Sequence, residues 1–543
     1  MLERYIQYVT VFFLLLIVQS ALAQQPAADT AKPGGKKLFI KQAKKLNFLK
    51  IDSLHDYQSL VGDVIVQQEK TIFYADSAII NTYDNSLEAF GNVHINDADS
   101  IQTYAQYLKY LGKEKKAFLK KKVKLTDGKG VLTTDELEYD VTMKIGTYLK
   151  GGKLVTKKSV LTSKQGYYYG DTRDVFFKQK VVLIDPEYRI YTDTMQYNMN
   201  TEIVTFTSPT TIYDSSKRII KTRDGYFDRK NKKGFLYKRS LIDDSTYTLT
   251  AEDMAFDDST KLSEFRGNVV YRGKDTAQGF DLIANNVKTD RKKDVLLATE
   301  KPILLIKQGK DSIFISSDTL YSARLSDLMK TREVPLARDT VPGAPHPAKA
   351  KSDSSDKYFE AYYHVRIFSD SLQAKGDSLF YSLQDSVFRL FKSPIVWAQE
   401  NQITGDTIYL YVKNKKPERL YVFENAMAIN RVDSTIYYNQ LKGTTLNALF
   451  DDGKIYYMRA KGNAENVYYG QDEGKKFVSV SKSSSDMINI LFEDSKPQRV
   501  TFISGFNGKS YPMRQVNHDE LRIRGFKWFD DIRPKSKYDI LSN

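Results

Sequence analysis

A unit of about 29–30 residues recurs down most of this chain, marked by an aspartate at Asp76, Asp135, Asp193, Asp224 and Asp253, then at Asp318, Asp377 and Asp406. Ala105, Gln165 and Asn285 stand near the expected places where the aspartate is missing. A period of this size belongs to folds in which one unit cannot bury its own apolar face and must stack on its neighbours. Within the unit, runs of β-branched and aromatic residues alternate with polar turns. Thr71-Ile72-Phe73-Tyr74-Ala75-Asp76 leads to a turn at Asp84-Asn85-Ser86, and Leu87-Glu88-Ala89-Phe90 leads into Gly91-Asn92-Val93-His94-Ile95. This is hairpin text. Tyr (37) and Phe (29) are abundant, which adds to the strand bias.

The spacing inside the unit is constant. Twelve residues separate Val64 from Asp76, Val93 from Ala105, Val123 from Asp135, Val181 from Asp193, Ile212 from Asp224 and Leu241 from Asp253. Equal strand lengths are what stacking in register requires. The spacing predicts an all-β fold of stacked antiparallel strands with an inward apolar ladder. Its members are Val64 and Val66, Val93 and Ile95, Val123 and Leu125, Val181 and Leu183, Ile212, Leu241, Val269 and Ile303. A fully packed core and an open apolar groove both fit such a ladder. The groove matters because a twelve-carbon chain buried at ~0.8 kcal/mol per CH₂ gains about 10 kcal/mol. The repeated aspartates, each beside a strand start, read as Asx-turn residues rather than as paired catalytic carboxylates.

The rhythm divides the chain. Residues 1–23 read as a cleavable signal peptide, with Arg4 before the apolar run Val9 to Val18 and Ala21-Leu22-Ala23 as the cleavage site. Residues 24–50 form a leader and basic arm, either an amphipathic helix or a first strand. Residues 51–330 make one block and 358–510 a second. Between them lies 331–357, a linker or insertion with prolines at 335, 342, 345 and 347. The tail, 511–543, breaks the pattern and either caps the last rung or docks a partner.

The net charge of +15 points to an anionic partner or to a solvated surface, and export disfavours nucleic acid. With no cysteine there are no disulfides, thiolate sites or thiol nucleophile. His55, His94, His346, His364 and His518 show no metal-ligand spacing. No nucleophile elbow or phosphate-binding glycine loop occurs. The reading is of a non-enzymatic protein with no cofactor, no metal and no catalytic residues.

The run Gly62-Asp63-Val64-Ile65-Val66, then Ala75-Asp76-Ser77-Ala78, then Gly91-Asn92-Val93-His94-Ile95, resembles the OstA-like, lipopolysaccharide-transport periplasmic family. Gly267-Asn268-Val269 repeats the element, and Gly462-Asn463-Ala464 echoes it. The resemblance is best over 51–130 and architectural from 358 to 510. It implies an open β-jellyroll, here as two tandem blocks, in the periplasm and in association with the outer membrane. It also implies acyl chains of lipopolysaccharide (lipid A) in the interior. The implied partners are other jellyrolls of the transport bridge, joined end to end by β-augmentation, and the outer-membrane translocon. The chain is far longer than the family's small bridge protein. The competing reading is a structural or adhesive β-solenoid that binds polysaccharide or cell wall and displays exposed aromatic ladders.

Overall fold

The computed structural model describes residues 37–541 apart from 51–55, 98–100, 276–278, 308–311, 334–355 and positions 383, 414, 415, 433, 434, 473, 475 and 495. The expected signal peptide, the leader up to residue 36 and most of the 331–357 segment lie outside the described residues, as do His55 and His346. The chain separates into two compact units, one of residues up to Leu154 with Tyr169–Asp171, the other of Val155–Tyr168 with Thr172 onward.

Both units are built from antiparallel strands that turn a corner at mid-length. In the first unit the strand Asp56–Gln68 pairs with Thr71–Asn81 through Tyr57↔Asn81 to Val61↔Ser77, and again from Val64↔Ala75 to Gln68↔Thr71. The ladder skips at Gly62-Asp63, two residues facing the single Asp76. The same two-against-one bulge recurs at Gly91-Asn92 facing Gln106 and at Lys121-Lys122 facing Asp135. In the second unit it recurs at Gln179-Lys180 facing Asp193, Gly267-Asn268 facing Asn285, Tyr363-His364 facing Asp377 and Gly462-Asn463 facing Asp486. Both bulged residues take positive φ, for example +69° and +40° at Gly91 and Asn92. Gly and Asn tolerate that region best, which is why Gly-Asn-Val recurs in the sequence. Each bulge bends its strand, so the half before the corner lies in one sheet (sheet I) and the half after it in a second (sheet II).

The corner sets which residues face inward. On bulged strands the buried apolar positions step by four across the corner: Leu60 to Val64, Ala89 to Val93, Leu119 to Val123. On the opposing strands the buried positions step by three: Ala75 to Ala78, Ala105 to Leu108, and the polar Thr134 to Leu137. Alternation holds within each sheet and changes phase only at the corner. Within each unit the inward faces of both sheets pack together, as the Phe73–Tyr110 and Tyr188–Phe227 ring contacts illustrate.

Asp76, Asp135, Asp193, Asp318, Asp377 and Asp406 are therefore corner residues, which corrects their assignment to strand-start turns, whereas Asp224 and Asp253 stand one place past the corner, at the start of their strands. Asn92 Nδ2 donates to Asp76 Oδ2 at 3.0 Å and Asn425 Nδ2 to Asp406 Oδ2 at 2.9 Å. Lys238 and Lys392 pair with Asp224 and Asp377 at 2.6 and 3.1 Å. The Asx-turns belong to a second periodic set near the hairpins. Asn81, Asn198, Asp257 and Asp290 each accept two backbone N–H groups of the following turn. At Asp228, the backbone N–H of Asn231 holds the carboxyl below its ordinary range.

The basic arm forms two strands, Phe39–Gln42 and Lys45–Lys50, which pair with the two halves of Asp56–Gln68. On either side of the 331–357 segment, the strand Thr319–Arg324 pairs directly with Lys357–Phe368. The tail folds back onto the outward face of sheet II in the second unit. There Leu521 and Ile523 join Met427, Ile429, Val467, Tyr469 and Val480 in one cluster, and Ile540 of the helix Lys537–Leu541 packs on Ile303 and Phe368. Buried glutamines, one per hairpin, hold the tail's backbone. Ile523 N–H donates to Gln440 at 2.9 Å, Phe529 N–H to Gln402 at 2.7 Å, and Gln402 Nε2 to the Lys527 carbonyl at 2.7 Å.

Candidate functional site

The feature that could hold a ligand is the apolar space between the sheets. Ten of the expected inward residues line it from sheet II: Val64, Val66, Val93, Ile95, Val123, Leu125, Val181, Leu183, Ile212 and Val269, all buried except the half-buried Ile212. The register connects them, Val66↔Phe73↔Ile95 in the first unit and Leu183↔Ile190↔Ile212↔Ile220 in the second.

Leu241 does not face inward. It pairs with Lys221 and Thr250 on the outward face, and Ser240 and Ile242 are the inward pair of that strand. The cause is local: the first residue of the facing corner is Glu252, so Asp253 falls one place late and counting back from it lands out of phase. Ile303 is also outward. Leu304 continues the inward row through Leu282 and Ile315, and Ile303 is buried because Ile540 of the tail covers it.

Half of the lining was missing from the sequence reading. Sheet I contributes Leu60, Ala78, Ile80, Leu87, Leu108 and Leu119 in the first unit, and Phe177, Met195, Phe206 and Met254 in the second, each 5% exposed or less. The three-or-four step at each corner would have found them.

At the hairpin ends, away from the corners, the two sheets of the first unit leave a narrow cleft lined by Phe73, Ile95, Ile101, Leu119 and Tyr139, with Asp97 at its rim. This is the mouth of the interior, and side chains bridge it. The Tyr110 hydroxyl on sheet I donates to Gln68 Oε1 on sheet II, and Lys115 Nζ reaches Glu69 at 3.3 Å. Burial pushes the Tyr110 phenol well above its ordinary range. The mouth of the second unit is bridged by charge: Arg229 on sheet I reaches Asp185 on sheet II at 2.6 Å. Nearby, Tyr247, Tyr271 and Phe280 stack along sheet II with centroids 5.0 and 5.2 Å apart. Burial raises Tyr188 and Tyr271 to about 12.

The interior is also uncovered where strands end. Leu46 and Phe48, which continue the inward row of sheet I, are 43% and 68% exposed. Among the described residues, Phe39–Gln42 and Lys45–Lys50 pair on one side only, as do Lys496–Ile503 and Asn507–Pro512 in the second unit. On the outward face of the first unit Tyr74, His94 and Tyr104 stack at 5.2 and 4.6 Å. These rings turn their faces to one another and their edges to solvent, so they do not offer the open aromatic platform on which a sugar stacks. Among the described residues no group of three or more His, Asp or Glu is placed to hold a metal ion.

Thirteen chains of solved structures match this protein. One is the crystal structure of LptH, the LptA homologous periplasmic component of the conserved lipopolysaccharide transport device from Pseudomonas aeruginosa. It is 17% identical, with 19% of this chain and 79% of that chain covered and a TM-score of 0.18. No curated protein matches. The family model described as OstA-like protein matches residues 35–193, so the resemblance carried by Gly62–Val66, Ala75–Ala78 and Gly91–Ile95 holds, and this stretch of the chain is OstA-like.

Proposed function

We propose that this chain is a periplasmic carrier or bridge component in lipopolysaccharide transport to the outer membrane, holding acyl chains in its apolar interior. The observation that carries the reading is the apolar lining: within each unit the corners shift phase so that both sheets turn apolar side chains inward, from Leu60 to Leu137 in the first and from Val175 to Phe206 in the second. The OstA-like stretch and the charge of +15, suited to lipid phosphates, support it. The one-sided strands Lys45–Lys50 and Lys496–Ile503 are the edges on which neighbouring jellyrolls of the bridge, and the outer-membrane translocon, would add strands. The chain acts by binding and release, without an enzymatic step, and its blocks take the place of several small carriers in series.

Photo-crosslinking residues at Val64, Val93 and Val123 are expected to capture lipopolysaccharide. The same probe at the hairpin residue Lys232, or at the outward Leu241, is expected to stay silent. Equal labelling at all five positions, or labelling at none, defeats the reading.

A further inference from the structure

The bridge across the second unit's mouth differs in chemistry from that of the first. In the first unit the buried crossing is neutral, Tyr110 to Gln68. In the second it is the ion pair Arg229–Asp185, with side chains 12% and 6% exposed. Removing both charges from water costs several kcal/mol per ion, and such a pair is often no more stabilising than apolar packing of the same volume. A charged closure on an apolar space is thus a poor way to gain stability and a good way to build an opening that responds to charge.

The partners of the two groups are unequal. Asp185 also accepts from Ser159 Oγ at 2.7 Å and from the Glu187 N–H at 3.2 Å. It keeps two donors if Arg229 leaves. Among the described residues, the Arg229 guanidinium, donating to Asp185 at 2.6 Å with the Tyr188 phenol against it, has no second carboxylate bonded to it. Its planar fork fits a phosphate or carboxylate with two parallel hydrogen bonds. Immediately inside, Tyr188 and Phe227 meet edge to face at 5.7 Å, where the apolar lining begins.

We infer that Arg229 receives the anionic headgroup, phosphate or carboxylate, of an amphiphile whose chain enters the interior, and that Asp185 holds its place until then. The inference rests on the carrier reading above and adds to it a headgroup site and an opening step. The anion takes Arg229 from Asp185, the tie between the sheets is released, and the chain follows the headgroup inward. The neutral buried crossing of the first unit, Tyr110 to Gln68, has no such requirement.

The test uses the full exported chain and three probes: dodecyl phosphate, dodecyl maltoside and inorganic phosphate, with both detergents below their micellar concentrations. Calorimetry is expected to give roughly tenfold tighter binding of dodecyl phosphate than of dodecyl maltoside, a charge-assisted preference. Arg229→Gln removes the preference, and Arg229→Lys restores part of it. Asp185→Asn, which keeps the shape of the side chain, tightens dodecyl phosphate several-fold and leaves dodecyl maltoside unchanged. Inorganic phosphate is expected not to compete at equal concentration, because it has no chain to bury; full competition would make this a free-anion site and overturn the inference. Equal binding of both detergents in wild type and all variants overturns the inference and leaves the carrier reading standing. Failure of both detergents to bind the wild type defeats both readings. Unchanged circular dichroism and melting of Asp185→Asn and Arg229→Lys separate these outcomes from misfolding.

Discussion

Alanine at Gly91 tests the corner directly. The residue has φ +69°, a region that costs a residue bearing a Cβ about 1–2 kcal/mol. An added Cβ would also stand 2.3 Å from Asp76 Oδ2 and 3.0 Å from its Cγ. The carboxylate is the end of a flexible side chain and can turn away. It then loses the hydrogen bond from Asn92 Nδ2, a net loss of about 1 kcal/mol. Gly91→Ala is therefore expected to destabilise its corner by about 2–3 kcal/mol. The reverse change is available one hairpin later, where Lys121 has φ +63° without being glycine. Lys121→Gly relieves about 1–2 kcal/mol of backbone strain and costs about 0.5–1 kcal/mol of chain entropy, for a net gain of up to ~1.5 kcal/mol. Stacked units unfold locally, so hydrogen exchange of peptides across 74–78 and 89–94 is the assay. It is expected to speed up about 30- to 150-fold in Gly91→Ala and to slow modestly across 118–124 in Lys121→Gly. Adding Asp76→Ala to Gly91→Ala is expected to cost little more, because the hydrogen bond from Asn92 is already lost. Changes of the same sign in the two glycine swaps would refute the corner argument.

Three further outcomes follow from the same geometry. Leu108→Ala, at a fully buried sheet I position, is expected to cost about 2–5 kcal/mol; a loss under ~1 kcal/mol, read by urea unfolding, would mean that sheet I does not line a packed interior. Tyr271 is raised to about 12 by burial, from an ordinary value near 10. The folded state holds this proton more tightly, so the stability it contributes is complete below pH 10 and is lost as pH rises from 10 to 12. Melting curves of wild type and Tyr271→Phe should run parallel below pH 9 and separate above 10; curves parallel throughout would contradict the burial. Gln402→Ala removes the side chain that bonds both Lys527 and Phe529. Chymotryptic cleavage near Phe526–Phe529 is expected to accelerate at least tenfold, by the loss of about two buried hydrogen bonds, and an unchanged cleavage rate would show that the tail is held by its apolar contacts alone.

The period, the all-β class and the strand text of the OstA-like stretch were legible because they depend on local sequence: alternation, turn residues, and Gly-Asn where two consecutive residues take positive φ. The aspartates were legible as a period but not as a position. A corner and a hairpin both favour Asx residues, and only the pairing register separates Asp76 at the corner from Asn81 at the hairpin. Leu241 was misplaced for the same reason, since its aspartate stands one residue past the corner. Contacts that join distant parts were not legible at all. Tyr110 meets Gln68 across 42 residues and Arg229 meets Asp185 across 44, and Ile540 covers Ile303 from the far end of the chain. Each depends on which hairpins face one another, and no spacing encodes that.

The phase rule also locates where the apolar lining stops. In the last strands of the second unit, sheet I still turns Ala460 and Ile488 inward, both fully buried. The corner step of four from Ala460 reaches Ala464 and then Asn466, and the step of three from Ile488 reaches Ser485 and then Ser483. Sheet II therefore faces the interior with an amide and hydroxyls. These groups are accommodated without a ligand, as when Ser485 Oγ donates to the Met487 carbonyl at 2.8 Å. An acyl chain laid against them would gain little, because the area it covers is polar and already hydrogen-bonded. The apolar track of this unit thus ends before its sheets do. Replacing Ser483 and Ser485 by valine extends the apolar face without altering strand pairing, so it should add a position at which photo-crosslinking captures an apolar chain. A chain still confined to the upstream rungs would mean that something other than the lining sets the end of the track.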